Sequence, residues 1–203
     1  MNAPIDPAAF TIGMPLEGGH FAGFFLLGEQ RRALISAPKA LGHHAPTIWN
    51  KSYKAVSGAL SFVDGLTNTE AMAKAGSEVA IWARDRSING HSDWCIPALD
   101  QLELLYRAFK PSNDDNTLWG RSGLNASALP PTYPYTPNLP PMVDLTAFRP
   151  GGEEAFESEW HWSSTQHAGY DVFAWAQLFG NGFQTITRKS DEFRVVLVRS
   201  IAI

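Results

Sequence analysis

The 203-residue sequence holds one cysteine, Cys95. A lone thiol excludes an internal disulfide framework and a cysteine-rich metal centre, and it points to folding in a reducing cytoplasm. Long apolar runs are also missing. No stretch approaches the ~20 residues needed to cross a bilayer, so no membrane insertion is expected. The opening segment MNAPIDPAAF lacks the charged start and apolar stretch of a signal peptide. Basic charge is scarce, with 16 Lys and Arg against 20 Asp and Glu and a net charge of −4. Phosphate binding needs clustered cations, so nucleic acid is excluded as the main partner.

Metal and catalytic signatures are equally thin. His43-His44 are adjacent, and His20, His91, His161 and His167 are scattered, without the short helical spacing of a zinc site. Asn113-Asp114-Asp115-Asn116 lacks the glycine and distal Glu of a calcium loop and reads as a solvated helix exit. No metal and no cofactor are expected. Glu153, Glu154, Glu157 and Glu159 could offer a glycosidase its carboxylate pair. Read locally, they are acidic residues at the start of a helical turn near Ala155 and Phe156, where the helix dipole favours them. Cys95 reads as a small buried hydrophobe. No nucleophile–base pairing can be named, so no enzyme is expected and no catalytic residue is assigned.

What is present is apolar and aromatic: 44% hydrophobic residues, seven Trp and twelve Phe. That is ample for one domain at residues 19–203. Residues 1–18, with Pro4, Pro7 and Pro15, read as an extended N-terminal arm. Gly19–Leu27 and Arg31–Ala37 form a predicted hairpin around Gly28-Glu29-Gln30. Residues 41–61 read as a loop over the core. A helix is predicted to start at Asn68-Thr69-Glu70, and a second to be capped by Ser77. Asn89-Gly90 is a turn. The clearest helix follows Pro97, placed as its first residue, with Leu99, Leu102, Leu105, Tyr106 and Phe109 at helical spacing. Asp100 and Glu103 near its start suit the dipole.

From Pro111 to Pro150 the character changes, and eight of the fourteen prolines fall there. Trp119, Tyr133, Tyr135, Leu139 and Met142 argue for an ordered insertion, wrapped on its own domain or on a neighbouring subunit. Exposed aromatics in number mark an interface, and these five are the interface candidates of an expected homo-oligomer. The C-terminal quarter reads as antiparallel sheet, with strands at 160–166, 172–179, 183–188 and 193–201. The last is expected to be central and buried on both faces. Trp160, Trp162 and Trp175 are read as core. Gln166, His167, Tyr170, Asn181 and Gln184 in the turns are the ligand-binding candidates, since such residues on rigid strands recognise partners at low ordering cost.

Four segments in order resemble the Lcl C-terminal domain family, a group of bacterial and phage domains. They are Asp93-Trp94-Cys95-Ile96-Pro97 with Leu102 and Leu105; Trp162-Ser163-Ser164-Thr165; Trp175 with Phe179 and Gly182; and Phe193 to Arg199. The Leu34 to Lys39 hairpin resembles phage members in particular. Departures are Cys95 and Ala98, where the family usually has Arg and Thr, and the Pro-rich insertion. The resemblance implies an α+β, C-type-lectin-like fold, in which two helices flank a small twisted antiparallel sheet and long loops present a variable surface. It implies no settled activity; the leading expectation is a phage tail, baseplate or fibre-tip protein of the virion, made in the host cytoplasm, that binds a host-surface component. Its partners would be a host cell-surface glycan or protein and other phage structural proteins. A purely architectural particle protein and a small enzyme on a formylglycine-generating-like scaffold stand as alternatives.

Overall fold

The computed structural model describes residues 9–203, and eight residues at the start lie outside it. Of the predicted arm at 1–18, residues 1–8 are therefore outside the described residues. Residues 9–18 are not an arm. Phe10 packs on Phe21 and Phe24 at 5.1 and 5.3 Å, and Gly13, at φ +80°, donates its N–H to Phe21 O. An apolar Phe-x-Ile segment beside an apolar strand buries itself rather than fraying.

The first sheet grows from the predicted hairpin. β1 (Pro15–Leu16) pairs with β2 (Gly19–Leu27), which turns at Gly28-Glu29 into β3 (Gln30–Ser36). After the single turn α1 (Lys39–Gly42), part of the stretch expected to be loop is strand β4 (His43–Ile48), while residues 49–61 are loop as expected. Three helices follow: α2 (Gly65–Lys74), α3 (Glu78–Arg84) and α4 (Leu99–Phe109). The two-residue β5 (Ala128–Leu129), inside the Pro-rich insertion, pairs with β2. Then come β6 (Trp160–Gln166), β7 (Phe173–Leu178), β8 (Gln184–Arg188), β9 (Glu192–Val196) and β10 (Val198–Ala202).

Two five-stranded sheets result: β1-β2-β3-β10 with β5 also on β2, and β4-β9-β6-β7-β8. Pairing is antiparallel except between β6 and β9. The chain is thus α+β. The predicted final strand 193–201 divides, β9 joining one sheet and β10 the other. Leu197 stands between them, its carbonyl accepting from Ala37 N–H and its N–H donating to Gly42 O. Val195 to Val198 are all fully buried because the crossing lies between the sheets, not because one strand runs through the middle of a single sheet.

Helix boundaries shift for specific reasons. α2 begins at Gly65, capped by Asp64, whose Oδ1 accepts from Thr67 N–H at 3.0 Å. Asn68 and Thr69, expected as caps, are buried inside it: Asn68 bonds Ser61 at both N–H and C=O, and Thr69 Oγ1 accepts from Ile96 N–H. α4 begins two residues after Pro97, because Gln101 Oε1 accepts from Ala98 N–H and also from Gly65 N–H. Ser77 precedes α3 as expected, but its hydroxyl donates to Trp49 O instead of the helix.

Two cores fill the domain. In one, Leu102, Leu105, Tyr106 and Phe109 of α4 meet Phe25, Leu34, Val196 and Val198, with Phe109, Phe148, Phe156 and Phe179 in near-parallel stacks. In the other, α2 and α3 pack Met72 and Val79 against Trp49, Trp94, Ile96 and Trp162. Trp162 is fully buried, while Trp160 and Trp175, also read as core, are half-buried.

The Pro-rich insertion lies on its own domain. Tyr135, predicted at a subunit interface, is buried and packs at 5.5 Å against Tyr106, the rings tilted by 59°. Trp119, Tyr133 and Leu139 are exposed, Trp119 by 79%, and Met142 is half-buried. Asn116 is no solvated helix exit. It is buried, its amide donating to the carbonyls of Thr136, Pro137 and Pro140 and its Oδ1 accepting from Tyr106 Oη. The Glu153–Glu159 stretch forms no helix. Glu154 accepts from Lys39 N–H, Glu157 pairs with the Lys39 ammonium, and Glu159 pairs with Arg194.

Candidate ligand-binding surface

β6 supplies a rigid base, since His161 to Gln166 are all buried. The chain reaches the surface at His167, and backbone bonds close the turn: His167 N–H to Phe173 O and Phe173 N–H to Tyr170 O, each 3.0 Å. On this turn the His167 imidazole stacks on the Tyr170 ring, centroids 5.1 Å apart and planes 16° from parallel. Tyr170 is 61% exposed. Behind the pair stand Trp175, 6.0 Å from His167, and Phe62, 5.9 Å from Trp175. The result is an aromatic ledge whose outer ring faces solvent.

Strand alternation explains the ledge. Phe173, Trp175 and Gln177 share one face of β7, matched across β8 by Arg188, Ile186 and Gln184. Burial deepens along that face, from half-buried Phe173 and Trp175 to fully buried Gln177. Gln184 is 5% exposed and donates to Gln177 Oε1 at 3.2 Å. It belongs to the interior, not to the ligand surface predicted for it. Gln166, 3% exposed, is likewise internal. Its Oε1 accepts from Val56 N–H at 2.7 Å and from the Lys189 ammonium at 2.6 Å. That ammonium also bonds Lys54 O and lies over the Trp49 ring, and burial pushes its pKa down to about 8. Gln166 therefore pins the loop beyond β4 to the sheet. Gln166 points inward because a buried strand end leaves a peptide N–H and a cation that need a partner, whereas Gln184 pairs only with Gln177 and its own Oε1 has no partner among the described residues.

Asn181 sits apart from His167 and Tyr170, at the other end of β7. Its Oδ1 accepts from Phe183 N–H and its carbonyl from Thr117 N–H. Of the five ligand candidates, the fold brings His167 and Tyr170 together, separates Asn181, and buries Gln166 and Gln184.

Residues absent from the predicted set complete the surface. The Arg121 guanidinium lies 4.9 Å over the Phe62 ring, and its Nη2 donates to Asp100 Oδ1 at 2.6 Å. Beside this pair opens a cleft of about 530 Å³, lined by Asp100, Arg121, Leu124, Asn125, Pro131 and Thr132. Asp100 is 6% exposed, and burial lifts its carboxyl above the ordinary carboxylate range, with Arg121 and the Ser127 hydroxyl opposing. Its neighbour Glu103, 1% exposed, is lifted in the same sense by burial, opposed first by Arg107. Near the start of α4, Asp100 and Glu103 are expected to serve the helix dipole. They are instead the buried anchors of the insertion, and the one available signal was their i, i+3 spacing, which puts both on one face of the helix.

Elsewhere the chemistry is quiet. Cys95 is buried, its Sγ donates to Val198 O, and burial pushes its thiol up, so it packs as a small apolar group. Among the described residues, no three His, Cys, Asp or Glu side chains converge as metal ligands. No described helix is long and apolar enough to cross a membrane.

No protein-family model matches the chain, and no curated protein sequence matches it. Among solved structures, a fimbrial protein from Bacteroides ovatus aligns at 12% identity with a TM-score of 0.45. The alignment covers 82% of this chain and 35% of that one, so the chain spans about a third of that neighbour's length. A likeness this slight assigns neither fold nor function.

Proposed function

We propose that this chain is a phage particle protein of the tail, baseplate or fibre tip that binds a host-surface glycan through a C-type-lectin-like domain. The observation that carries the binding reading is the ledge of Tyr170, His167, Trp175 and Phe62. An exposed ring, fixed by stacking and held on a fully buried strand, offers contact area with little ordering cost. The C–H face of a pyranose ring is complementary to such a surface. The lectin-like reading is supported by α2 and α4 beside two small sheets, and by the long irregular stretch between α4 and β6 that builds part of the surface. In this reading the protein acts in the virion, as a homo-oligomer among other structural proteins.

A second reading has its own observation. Trp119, 79% exposed, stands next to exposed Leu118 on the insertion. A bare Trp–Leu pair suits a subunit contact, as an architectural particle protein would need.

Binding of the full chain to whole host cells, with Tyr170→Ala as control, tests the first reading. We expect wild-type binding and at least a tenfold loss in the variant. Equal binding by both proteins removes the ledge from the account.

A further inference from the structure

The cleft at Asp100 and Arg121 adjoins the aromatic ledge without interruption. Arg121 rests on Phe62, Phe62 meets Trp175, and Trp175 leads through His167 to Tyr170. We infer that the cleft is a second subsite, which hydrogen-bonds vicinal hydroxyls of a neutral sugar unit while the ledge stacks on another unit of the same chain. This inference rests on the glycan reading of the ledge.

Three features make the cleft a built site. First, it presents an acceptor and a donor side by side. The Asp100 carboxylate can accept from one hydroxyl, and the Arg121 guanidinium can donate to the next. Arg121 Nε, itself buried, has no acceptor among the described residues, so the guanidinium keeps unused donor capacity. Second, the two groups offset each other's charge. An anionic sugar would approach a carboxylate at the cleft floor, whereas an uncharged polyol meets a matched pair of partners. Third, the wall is fixed in advance. Buried Asn125 donates from Nδ2 to Asp100 O at 2.8 Å and to Glu103 Oε2 at 2.9 Å, while its Oδ1 accepts from Ser127 and Ala128 N–H. Thr132 Oγ1 accepts from Asn125 N–H and donates to Gly123 O. The loop 121–132 therefore needs little further ordering when a ligand enters, which conserves affinity. Exposed Leu124 at the rim gives a sugar's C–H face an apolar neighbour.

The test is an NMR titration of the full chain with methyl hexosides (glucoside, mannoside and galactoside), with methyl glucuronide, and with short neutral oligosaccharides. At least one neutral hexoside is expected to shift the signals of Arg121 Nε–H, Asn125 and Thr132, and the glucuronide to do so at least tenfold more weakly. Asp100→Asn and Arg121→Gln should each weaken the neutral sugar at least tenfold, with unchanged spectra elsewhere. Tyr170→Ala should leave the hexosides unaffected and weaken the oligosaccharides. If oligosaccharides bind and depend on Tyr170 but not on Asp100 or Arg121, the subsite is refuted and the ledge stands. If hexosides bind in the cleft and oligosaccharides gain nothing from Tyr170, the subsite stands and the ledge fails. A preference for the glucuronide overturns the assignment to neutral sugars, and absence of shifts at Arg121 with every probe overturns the subsite itself.

Discussion

Asp100 and Glu103 lie three residues apart on one face of α4, and the fold treats them oppositely. Glu103 is closed in. Its oxygens accept from Arg107 Nε at 2.5 Å, Asn125 Nδ2 at 2.9 Å and Tyr135 Oη at 3.1 Å. The Arg107 guanidinium lies over the rings of Tyr133 and Tyr135, and its Nη2 donates to the carbonyls of Gly123 and Tyr133. Asp100 has one arginine and a 3.3 Å contact from the Ser127 hydroxyl, and it borders an open cleft. The same chemistry on one helix thus serves two ends. The inner carboxylate ties a Pro-rich segment without regular structure to the domain, and the outer one is left with capacity to bind. A buried charge is retained where removing it strands its partners.

Glu103→Ala has the largest expected effect. It leaves Arg107, Asn125 and Tyr135 without their acceptor and is expected to cost about 3–5 kcal/mol, with the 111–150 segment becoming sensitive to protease. A loss below ~1 kcal/mol in chemical denaturation would mean that Glu103 is not the tie described. Next is Leu105→Ala, in the apolar face of the same helix, expected to cost about 2–5 kcal/mol by thermal or chemical denaturation. An unchanged melting temperature would contradict the packing of α4 between the sheets.

The pH response separates the polar stripe from the histidines behind it. Burial lowers His161 from 6.5 to about 4 and His43 to about 3. In the unfolded chain both take up protons below pH ~6.5, while the folded chain resists, so stability is full above that pH and falls as pH drops toward 4. His161 alone contributes roughly 3 kcal/mol to that fall. Asp100 and Glu103, with raised carboxyls, act in the opposite sense: their contribution is lost as pH rises through the carboxylate range. Denaturant midpoints between pH 7 and 4 should therefore decline in the wild type and decline less steeply in His161→Phe, where His43 still titrates. Equal slopes for the two proteins would place the titrating group elsewhere. Smaller effects are expected from Asp100→Asn, within about 1 kcal/mol because the amide oxygen keeps an acceptor for Arg121, and the smallest from the exposed Tyr170→Ala, within about 0.5 kcal/mol.

Much of the scaffold was legible in the sequence because local patterns and tertiary packing agree there. The β2–β3 hairpin, the apolar stripe of α4 and the β6–β7–β8 meander follow from alternation, helical period and turn residues. β4 was not legible. Its residues His-His-Ala-Pro-Thr-Ile lack alternation, and its pairing with β9 shifts register between His44 and Thr47 at the edge of the sheet. The division of the final strand was hidden because burial between two sheets and burial within one give the same apolar run. For the surface, His167 and Tyr170 could be found as polar aromatics in a turn. Gln166 and Gln184 could not be told from exposed glutamines, since their partners Lys189, Val56 and Gln177 come from other elements. Phe62, Arg121 and Asp100 meet only through tertiary structure, from three segments with no common motif.

In this reading one continuous face, from Tyr170 to Asp100, binds a neutral glycan. Its most direct test is a crystal of the full chain soaked with a short neutral oligosaccharide that binds in the titration. We predict one sugar ring stacked on Tyr170 and His167, and another with adjacent hydroxyls bonded to Asp100 and Arg121. Oligosaccharide density confined to the Trp119 side of the insertion, with the ledge and cleft bare, would contradict it.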